Sequence, residues 1–254
     1  MDLVIYTALG VGLATVIGAL IGFIFKNISH RLQDGILGFA SGVMLAAAFL
    51  SLIFPSIDLG GKYGLVITII GIFAGAIFLN VIDKIVPHLH KLADGALIDN
   101  DENQHDKQRL NKIILFVIAI AIHNFPEGIA AGVGAGSGNV ADTITIALSI
   151  AIQNIPEGMI IISPMIMAGI SKKRTFIIAC LTGVIEVVGT FIGYFAIAVS
   201  SAILPFALAF AGGTMLYVIN NEMIPETHSH GNEVFATYAL LIGFSLILVL
   251  NTLI

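Results

Sequence analysis

Residues 121–132 read AIHNFPEGIAAG, and residues 151–162 read AIQNIPEGMIII. Each stretch carries the pattern His or Gln, Asn, any residue, Pro, Glu, Gly, at residues 123–128 (the first cassette) and 153–158 (the second cassette). Both cassettes are embedded in apolar runs. A buried polar group without a partner is destabilising, so a polar pattern that occurs twice in such runs indicates a use for it. The nature of these apolar surroundings decides the fold.

The composition around the cassettes is that of a membrane protein. Hydrophobic residues make up 57% of the chain and charged residues 11%, and the mean hydropathy is +1.02, outside the range of soluble globular domains. A helix needs roughly 20 residues to cross a hydrocarbon core, whereas barrel strands are about 10 residues long and alternate in polarity. We therefore expect an all-α bundle of eight transmembrane helices, with residues 1–254 as a single domain. The predicted spans are 3–25, 35–57, 63–82, 113–133, 141–162, 175–199, 203–220 and 234–254.

The basic residues predict how this bundle is oriented. If the N-terminus lies outside, ten of the eleven Lys and Arg residues fall on the cytoplasmic side and only Lys62 lies outside, as the positive-inside rule requires. We expect a multi-pass cell-membrane protein with both termini extracytoplasmic and with residues 83–112 as a cytoplasmic loop between spans three and four. The single cysteine, Cys180, excludes an internal disulfide and a multi-thiolate metal site. The net charge of -5 argues against a nucleic-acid partner.

Both cassettes fall near the middle of their predicted spans. In each one, the first polar residue and the glutamate are four residues apart and share a helical face. His123 should therefore lie beside Glu127, and Gln153 beside Glu157. The two helices run antiparallel. Because each cassette lies near the middle of its span, both cassettes are expected at the bilayer midplane.

Glycines predict where other helices come close. Gly128 and Gly158 follow the two glutamates and leave room for the backbone of a neighbouring helix. The pairs at the ends of 18–22 and 189–193 have the small-xxx-small spacing of helix-packing faces. We assign these two stretches to packing and not to chemistry.

A third carboxylate, Glu186, lies near the middle of the sixth span. The spans contain no Lys or Arg to pair with the three glutamates, and an unpaired ionised carboxylate inside a membrane is strongly unfavourable. We therefore expect an external cation. A mixed nitrogen and oxygen ligand set suits Zn²⁺, Fe²⁺, Mn²⁺ or the similar Cd²⁺. The candidate metal ligands are His123, Asn124, Glu127, Gln153, Asn154, Glu157 and Glu186.

The sequences HNFPEG at 123–128 and QNIPEG at 153–158, within eight helices joined by one longer loop after the third, resemble those of the ZIP (Zrt/Irt-like protein) metal transporters, in particular the GufA-like branch. The resemblance implies inward flux of divalent metal, usually zinc, as the transported substrate, with no prosthetic group. It implies an elevator-like movement of helices one, four, five and six against the others. It also implies a binuclear midplane site. One metal would be held by His123, Glu127, Gln153 and Glu157. The second would be held by Asn124, Asn154 and Glu186, with Glu127 and Glu157 bridging.

The sequence departs from the family pattern at the second cassette. Gln153 stands where many relatives have histidine, and a neutral amide is a weaker ligand. Asn154 stands where some relatives have an acid, which lowers the charge at the second site. Near the end of the seventh span, Glu222 and Glu226 look like the acids on the exit side of the family's path. His230 could line the same path.

Other interpretations of these residues stay open. Asn124 and Asn154 could be interhelical hydrogen-bond partners, and Glu186 could be a buried protonated acid. An intramembrane metal-dependent hydrolase is an alternative function, but it needs an open metal position with a water, and the sequence has no H-E-x-x-H motif. A proton-coupled carrier or a channel is another, because midplane glutamates also relay protons. The expected partners are the lipid bilayer, divalent metal ions and, as a candidate, a second copy in a homodimer.

Overall fold

The computed structural model describes residues 2–25, 29–97, 124–167 and 169–253, and these ranges contain helices and no strand. Eight main helices, α1 to α8 in chain order, cover Asp2–Ile24, His30–Leu59, Gly64–Leu97, 124–136, Val140–Met167, Lys172–Val199, Leu204–Thr227 and Glu233–Leu253. Short 3-10 turns at Gly61–Tyr63 and Ser201–Ile203 precede α3 and α7.

The predicted all-α membrane fold is confirmed. Within the described ranges, 7 helices are long and apolar enough to cross a membrane. The fourth predicted span, 113–133, is described only from residue 124 onward, where the chain is helical over 124–136. Helix α3 continues to Leu97, so the first part of the segment predicted as a loop is helical. Its apolar residues recur with a helical period in the sequence, and the remainder of that predicted loop lies outside the described residues.

Helices α2 and α7 each contain a wider, π-helical turn just before a proline. The turn Ala48–Ile53 precedes Pro55, and the turn Ile219–Met223 precedes Pro225. After each turn, a backbone N–H bonds to the carbonyl five residues earlier. Proline has no N–H, and its ring crowds the carbonyl four residues before it. The wider turn therefore lets both helices continue past their prolines.

The helices pack as two sets. Helix α1 packs against α5 and α6, and α4 packs against α6; these four form the cassette set. Helix α2 packs against α8, and α3 against α7; these form the frame set. The sets meet where α2 packs against α5, across a core that includes Met44, Leu52, Ile150 and Met215. This is the grouping that the family resemblance implied.

Backbone contacts at glycines hold each set together. A Cβ atom on Gly18 of α1 would overlap the carbonyl oxygen of Ile155 on α5, and one on Gly193 of α6 would overlap that of Ile129 on α4. A helix without a Cβ at these points can approach its neighbour closely enough for van der Waals packing, which drives helix association in lipid. The packing role predicted for these two glycine stretches is confirmed.

Candidate metal centre

Glu186 joins three helices of the cassette set. Its side chain is 0% exposed. Asn154 on α5 donates from Nδ2 to Glu186 Oε1, and Thr15 on α1 donates from Oγ1 to Glu186 Oε2 over 3.3 Å. Asn154 Nδ2 also donates to the backbone carbonyl of Val11 over 3.1 Å. The structure thus brings two predicted site residues, Asn154 and Glu186, into direct contact.

The amides of Asn124 and Asn154 are oriented by backbone carbonyls. Asn124 Nδ2 faces the carbonyl oxygen of Thr182 at 3.5 Å, and Asn154 Nδ2 faces that of Val11. A carbonyl oxygen only accepts hydrogen bonds, so the amide nitrogen and not the amide oxygen must face it. The Oδ1 atoms of both side chains are buried without a hydrogen-bond partner. Both residues therefore act as interhelical hydrogen-bond partners, as the alternative interpretation expected. Each also keeps an amide oxygen that is available to a ligand.

Glu127 and Gln153 also carry unpartnered atoms. Glu127 is 1% exposed, and neither of its carboxyl oxygens has a hydrogen-bond partner among the residues that the structure describes. Gln153 lies beside Glu127, yet neither its amide oxygen nor its nitrogen makes a hydrogen bond of acceptable geometry. A buried polar group left unsatisfied costs about 1 to 3 kcal/mol. Among the candidate ligands, five acceptor oxygens share this condition: those of Asn124, Glu127, Gln153 and Asn154.

The charged side chains that the structure describes around these oxygens are carboxylates. Glu127 lies within Coulombic range of Glu157 and Glu186, and Glu186 within range of Glu157. Glu157 is half-buried and makes polar contacts of its own. The sequence contains no Lys or Arg over 124–171 or after Arg174. Acceptor oxygens and carboxylates without a protein cation are a chemical environment that favours a bound metal cation.

His123, the first residue of the first cassette, lies outside the described residues. In the described part of the chain, no group of three or more His, Cys, Asp and Glu side chains is arranged to hold a metal by itself. Among the described residues, a metal centre at this position would therefore have to use amide oxygens as well as carboxylates. Cys180 is free and half-buried, and we do not assign it to the centre.

The glycine that ends each cassette presses its helix against the network of Glu186. A Cβ atom on Gly128 would overlap the carbonyl oxygen of Glu186, and one on Gly158 would overlap that of Thr15. The close approach predicted at Gly128 and Gly158 is confirmed. The cassette glycines therefore bring α4 against α6 and α5 against α1 at the depth of the candidate ligands.

Thr15 is a site residue that the sequence alone did not reveal. A threonine hydroxyl in an apolar span commonly bonds to the carbonyl of the preceding turn of its own helix, so its presence in α1 carried little signal. Its partner, Glu186, is separated from it by 171 residues. The available indication in the sequence was that Thr15 is a polar residue near the middle of an otherwise apolar span.

A second polar cluster lies where α2 begins and where α7 connects to α8. We call this side of the bundle the basic end, because it also carries Arg31. The buried Asp34 accepts a hydrogen bond from His230 Nδ1 at 3.0 Å and one from Asn232 Nδ2 at 2.8 Å. The ring of His30 stacks on that of His230 with centroids 4.3 Å apart. His230 is thus engaged in joining parts of the frame set. The predicted exit-side acids Glu222 and Glu226 are half-buried and exposed, respectively.

Buried carboxylate and amide groups inside membrane-spanning helices are typical of proteins that conduct or transport ions across the membrane. A family model described as ZIP zinc transporter matches residues 93–251. Zinc transporter GufA of Myxococcus xanthus is 37% identical over 246 residues, which cover 94% of each chain. Zinc transporter ZIPB of Bordetella bronchiseptica is 33% identical over 94% of this chain and 77% of its own. Human zinc transporter ZIP11 is 30% identical over 93% of both chains.

The chain belongs to the ZIP family of zinc transporters. Members of this family are transporters and not enzymes. The predicted family membership is therefore confirmed, and the hydrolase alternative no longer applies. Relatives named as zinc transporters support zinc as the transported substrate.

Proposed function

We propose that this protein transports divalent metal ions, with zinc as the principal substrate, through a binuclear site at the midplane. The observation that carries the proposal is the group of five buried acceptor oxygens on Asn124, Glu127, Gln153 and Asn154 that have no hydrogen-bond partner in the described part of the chain. A metal cation satisfies such oxygens without needing a donor hydrogen. Zn²⁺ accepts nitrogen and oxygen ligands, and Fe²⁺, Mn²⁺ and Cd²⁺ are further candidate substrates.

Two overlapping metal positions account for the ligand set. The first metal is held by His123, Glu127, Gln153 and Glu157. The second is held by Asn124, Asn154 and Glu186, with Glu127 and Glu157 bridging the two. Hydrogen bonds from Thr15 and Asn154 leave Glu186 able to bind, because each carboxylate oxygen has two lone pairs. The Thr15 bond would also hold that carboxylate in a fixed rotamer.

Packing in two sets supports an elevator-like movement. The proposed ligands that lie in the described residues all belong to the cassette set, and the hydrogen bonds at Glu186 join helices within that set. The hydrogen bonds from Asn80 to Tyr217 and from His230 to Asp34 likewise join parts of the frame set. The cassette set would therefore carry the metal as one unit against the frame set. The seam is the contact surface between the two sets. It includes the apolar side chains of Met44, Leu52, Ile150 and Met215, which slide without breaking hydrogen bonds.

Direction and orientation form part of the proposal. The concentration of Lys and Arg on one side of the spans supports a cytoplasmic basic end and extracytoplasmic termini. Metal would then travel from the terminal side to the basic end. Cells that express the transporter should gain zinc from the medium, and loss of cellular zinc would contradict this direction. A homodimer stays a prediction, to be tested by light scattering of the purified protein.

The transport proposal is tested in proteoliposomes that contain a fluorescent zinc indicator. The parent protein should admit Zn²⁺, and repeating the measurement with Fe²⁺, Mn²⁺ and Cd²⁺ outside ranks the substrates. Glu157→Ala should abolish the flux, because Glu157 bridges both metals. Asn154→Ala should change rate or selectivity while retaining flux, because Asn154 serves only the second position.

Circular dichroism and gel filtration serve as controls for folding in both variants. The Asn154 variant needs this control most, because its amide also bonds to the Val11 carbonyl and to Glu186. Equal loss of flux in two folded variants would contradict the two-position arrangement. Absence of flux for every metal, from folded and inserted parent protein, would contradict the transport proposal itself.

A further inference from the structure

An open apolar groove runs along the seam between the two sets of helices. Helix α5 of the cassette set forms one wall with Ile152 and Pro156, and helices α2 and α8 of the frame set form the other with Leu32, Phe39 and Phe235. The groove has a volume of about 460 Å³, within the range of about 300 to 1,000 Å³ for small-molecule sites. It extends from the second cassette towards the basic end.

The groove is lined by apolar side chains and glycine throughout. It lies between membrane spans, where no water competes for its surface. Whatever occupies it must therefore present an apolar segment. A lipid acyl chain has this chemistry and is abundant at that depth of a bilayer.

A cation stands at the mouth of the groove. The guanidinium of Arg31 lies over the ring of Phe235, 5.0 Å from its centroid, and Phe235 is part of the groove wall. The nearest acid on the same helix, Asp34, is buried and occupied by His230 and Asn232. Glu233 lies two residues before Phe235 and so points about 200° away around α8. Arg31 is therefore the exposed charge that the structure places directly against the groove wall.

We infer that this groove binds an anionic phospholipid, with one acyl chain between the two sets and the phosphate at Arg31. Arginine binds phosphate oxygens through paired N–H donors, and basic positions beside transmembrane helices attract anionic headgroups. An acyl chain in this position contacts α5 next to Pro156 and contacts α2 and α8 at the same time. Lipid occupancy therefore adjusts the packing of the cassette set on the frame set. This regulatory step rests on the proposed transport function, whereas the binding itself does not.

Native mass spectrometry of the detergent-solubilised protein tests the binding directly. Phosphatidylglycerol should bind more tightly than phosphatidylcholine. Arg31→Ala should weaken phosphatidylglycerol binding about five-fold, since one basic residue near the surface contributes about 1 kcal/mol. It should leave phosphatidylcholine binding unchanged. Ala239→Phe, which fills the groove from α8, should weaken the binding of both lipids.

Lys62→Ala is the matched control. The Lys62 ammonium also lies over an aromatic ring, 5.7 Å from the centroid of Tyr63, at the opposite end of the bundle. This variant should retain the lipid preference of the parent, and Arg31→Lys should retain most of it. Equal lipid preference in the parent and in Arg31→Ala would overturn the inference. An equal loss in Lys62→Ala would overturn it too, because the effect would then be one of net charge.

Zinc flux into phosphatidylcholine vesicles with and without phosphatidylglycerol tests the regulatory step. The anionic lipid should change the flux of the parent and of Lys62→Ala, but not that of Arg31→Ala. Selective lipid binding without flux in any vesicle would refute the transport function and leave the lipid site standing. If phosphatidylglycerol does not change the zinc flux of the parent, lipid regulation is refuted, while the lipid-binding site is not.

Discussion

Replacing Gly18 with Ala should push α1 away from α5 at the second cassette. A Cβ atom on Gly18 would lie 2.9 Å from the carbonyl carbon of Ile155 and closer still to its oxygen. Carbon atoms pack best at about 3.5 to 4.0 Å, so the two helices must separate locally by roughly 1 Å. The obstacle is backbone and cannot be relieved by a change of rotamer.

This separation should affect both stability and transport. Overpacking of this kind typically costs about 1 to 3 kcal/mol, and a backbone obstacle places Gly18→Ala in the upper part of that range. The bond from Asn154 Nδ2 to the Val11 carbonyl is 3.1 Å long. An extra separation of roughly 1 Å would take it beyond hydrogen-bonding distance. Asn154 would then lose the contact that orients its amide.

Gly10→Ala provides the control on the same helix. A Cβ atom on Gly10 meets nothing within 4 Å, and replacing a helical glycine with alanine stabilises a helix by roughly 0.5 to 1 kcal/mol. Unfolding in mixed micelles, followed by circular dichroism as the fraction of denaturing detergent rises, should rank Gly10→Ala at or above the parent and Gly18→Ala below it. Zinc flux should fall only in Gly18→Ala. Equal unfolding midpoints and equal flux in the two variants would refute this reasoning.

Two other predictions concern the metal centre. Acid should weaken metal binding, because the carboxylates and the histidine must be deprotonated to act as ligands, and an affinity measured by calorimetry that is unchanged between about pH 5 and 7.5 would contradict this. Thr15→Val removes the hydroxyl that donates to Glu186 at nearly constant volume and should cost about 1 to 2 kcal/mol of stability. It should also reduce zinc flux, whereas Thr15→Ser should restore both properties; a valine variant that behaves like the parent would show that the hydrogen bond is unimportant.

The membrane fold could be predicted from local properties of the chain. The length of an apolar run and its distance from the next one depend on neighbouring residues only, so the spans were evident in the sequence. The paired cassettes were evident for the same reason, because each one is a short continuous stretch of sequence that spans at most two helical turns. Helix α3 extended further than predicted because hydropathy ends where the polar residues begin, whereas helical periodicity continues to Leu97.

Only the tertiary structure decided which helices stand together and which atoms of the site are open. Thr15 meets Glu186 across 171 residues, and Asp34 meets His230 across 196, and nothing in the local pattern of either residue specifies its partner. The open oxygens of Asn124 and Asn154 follow from backbone carbonyls on α6 and α1 that occupy their amide nitrogens. The sequence by itself determined that polar groups are buried at mid-membrane. The packing of distant helices decided which of the described groups have hydrogen-bond partners and which have none, because hydrogen bonding depends on distance in space and not along the chain.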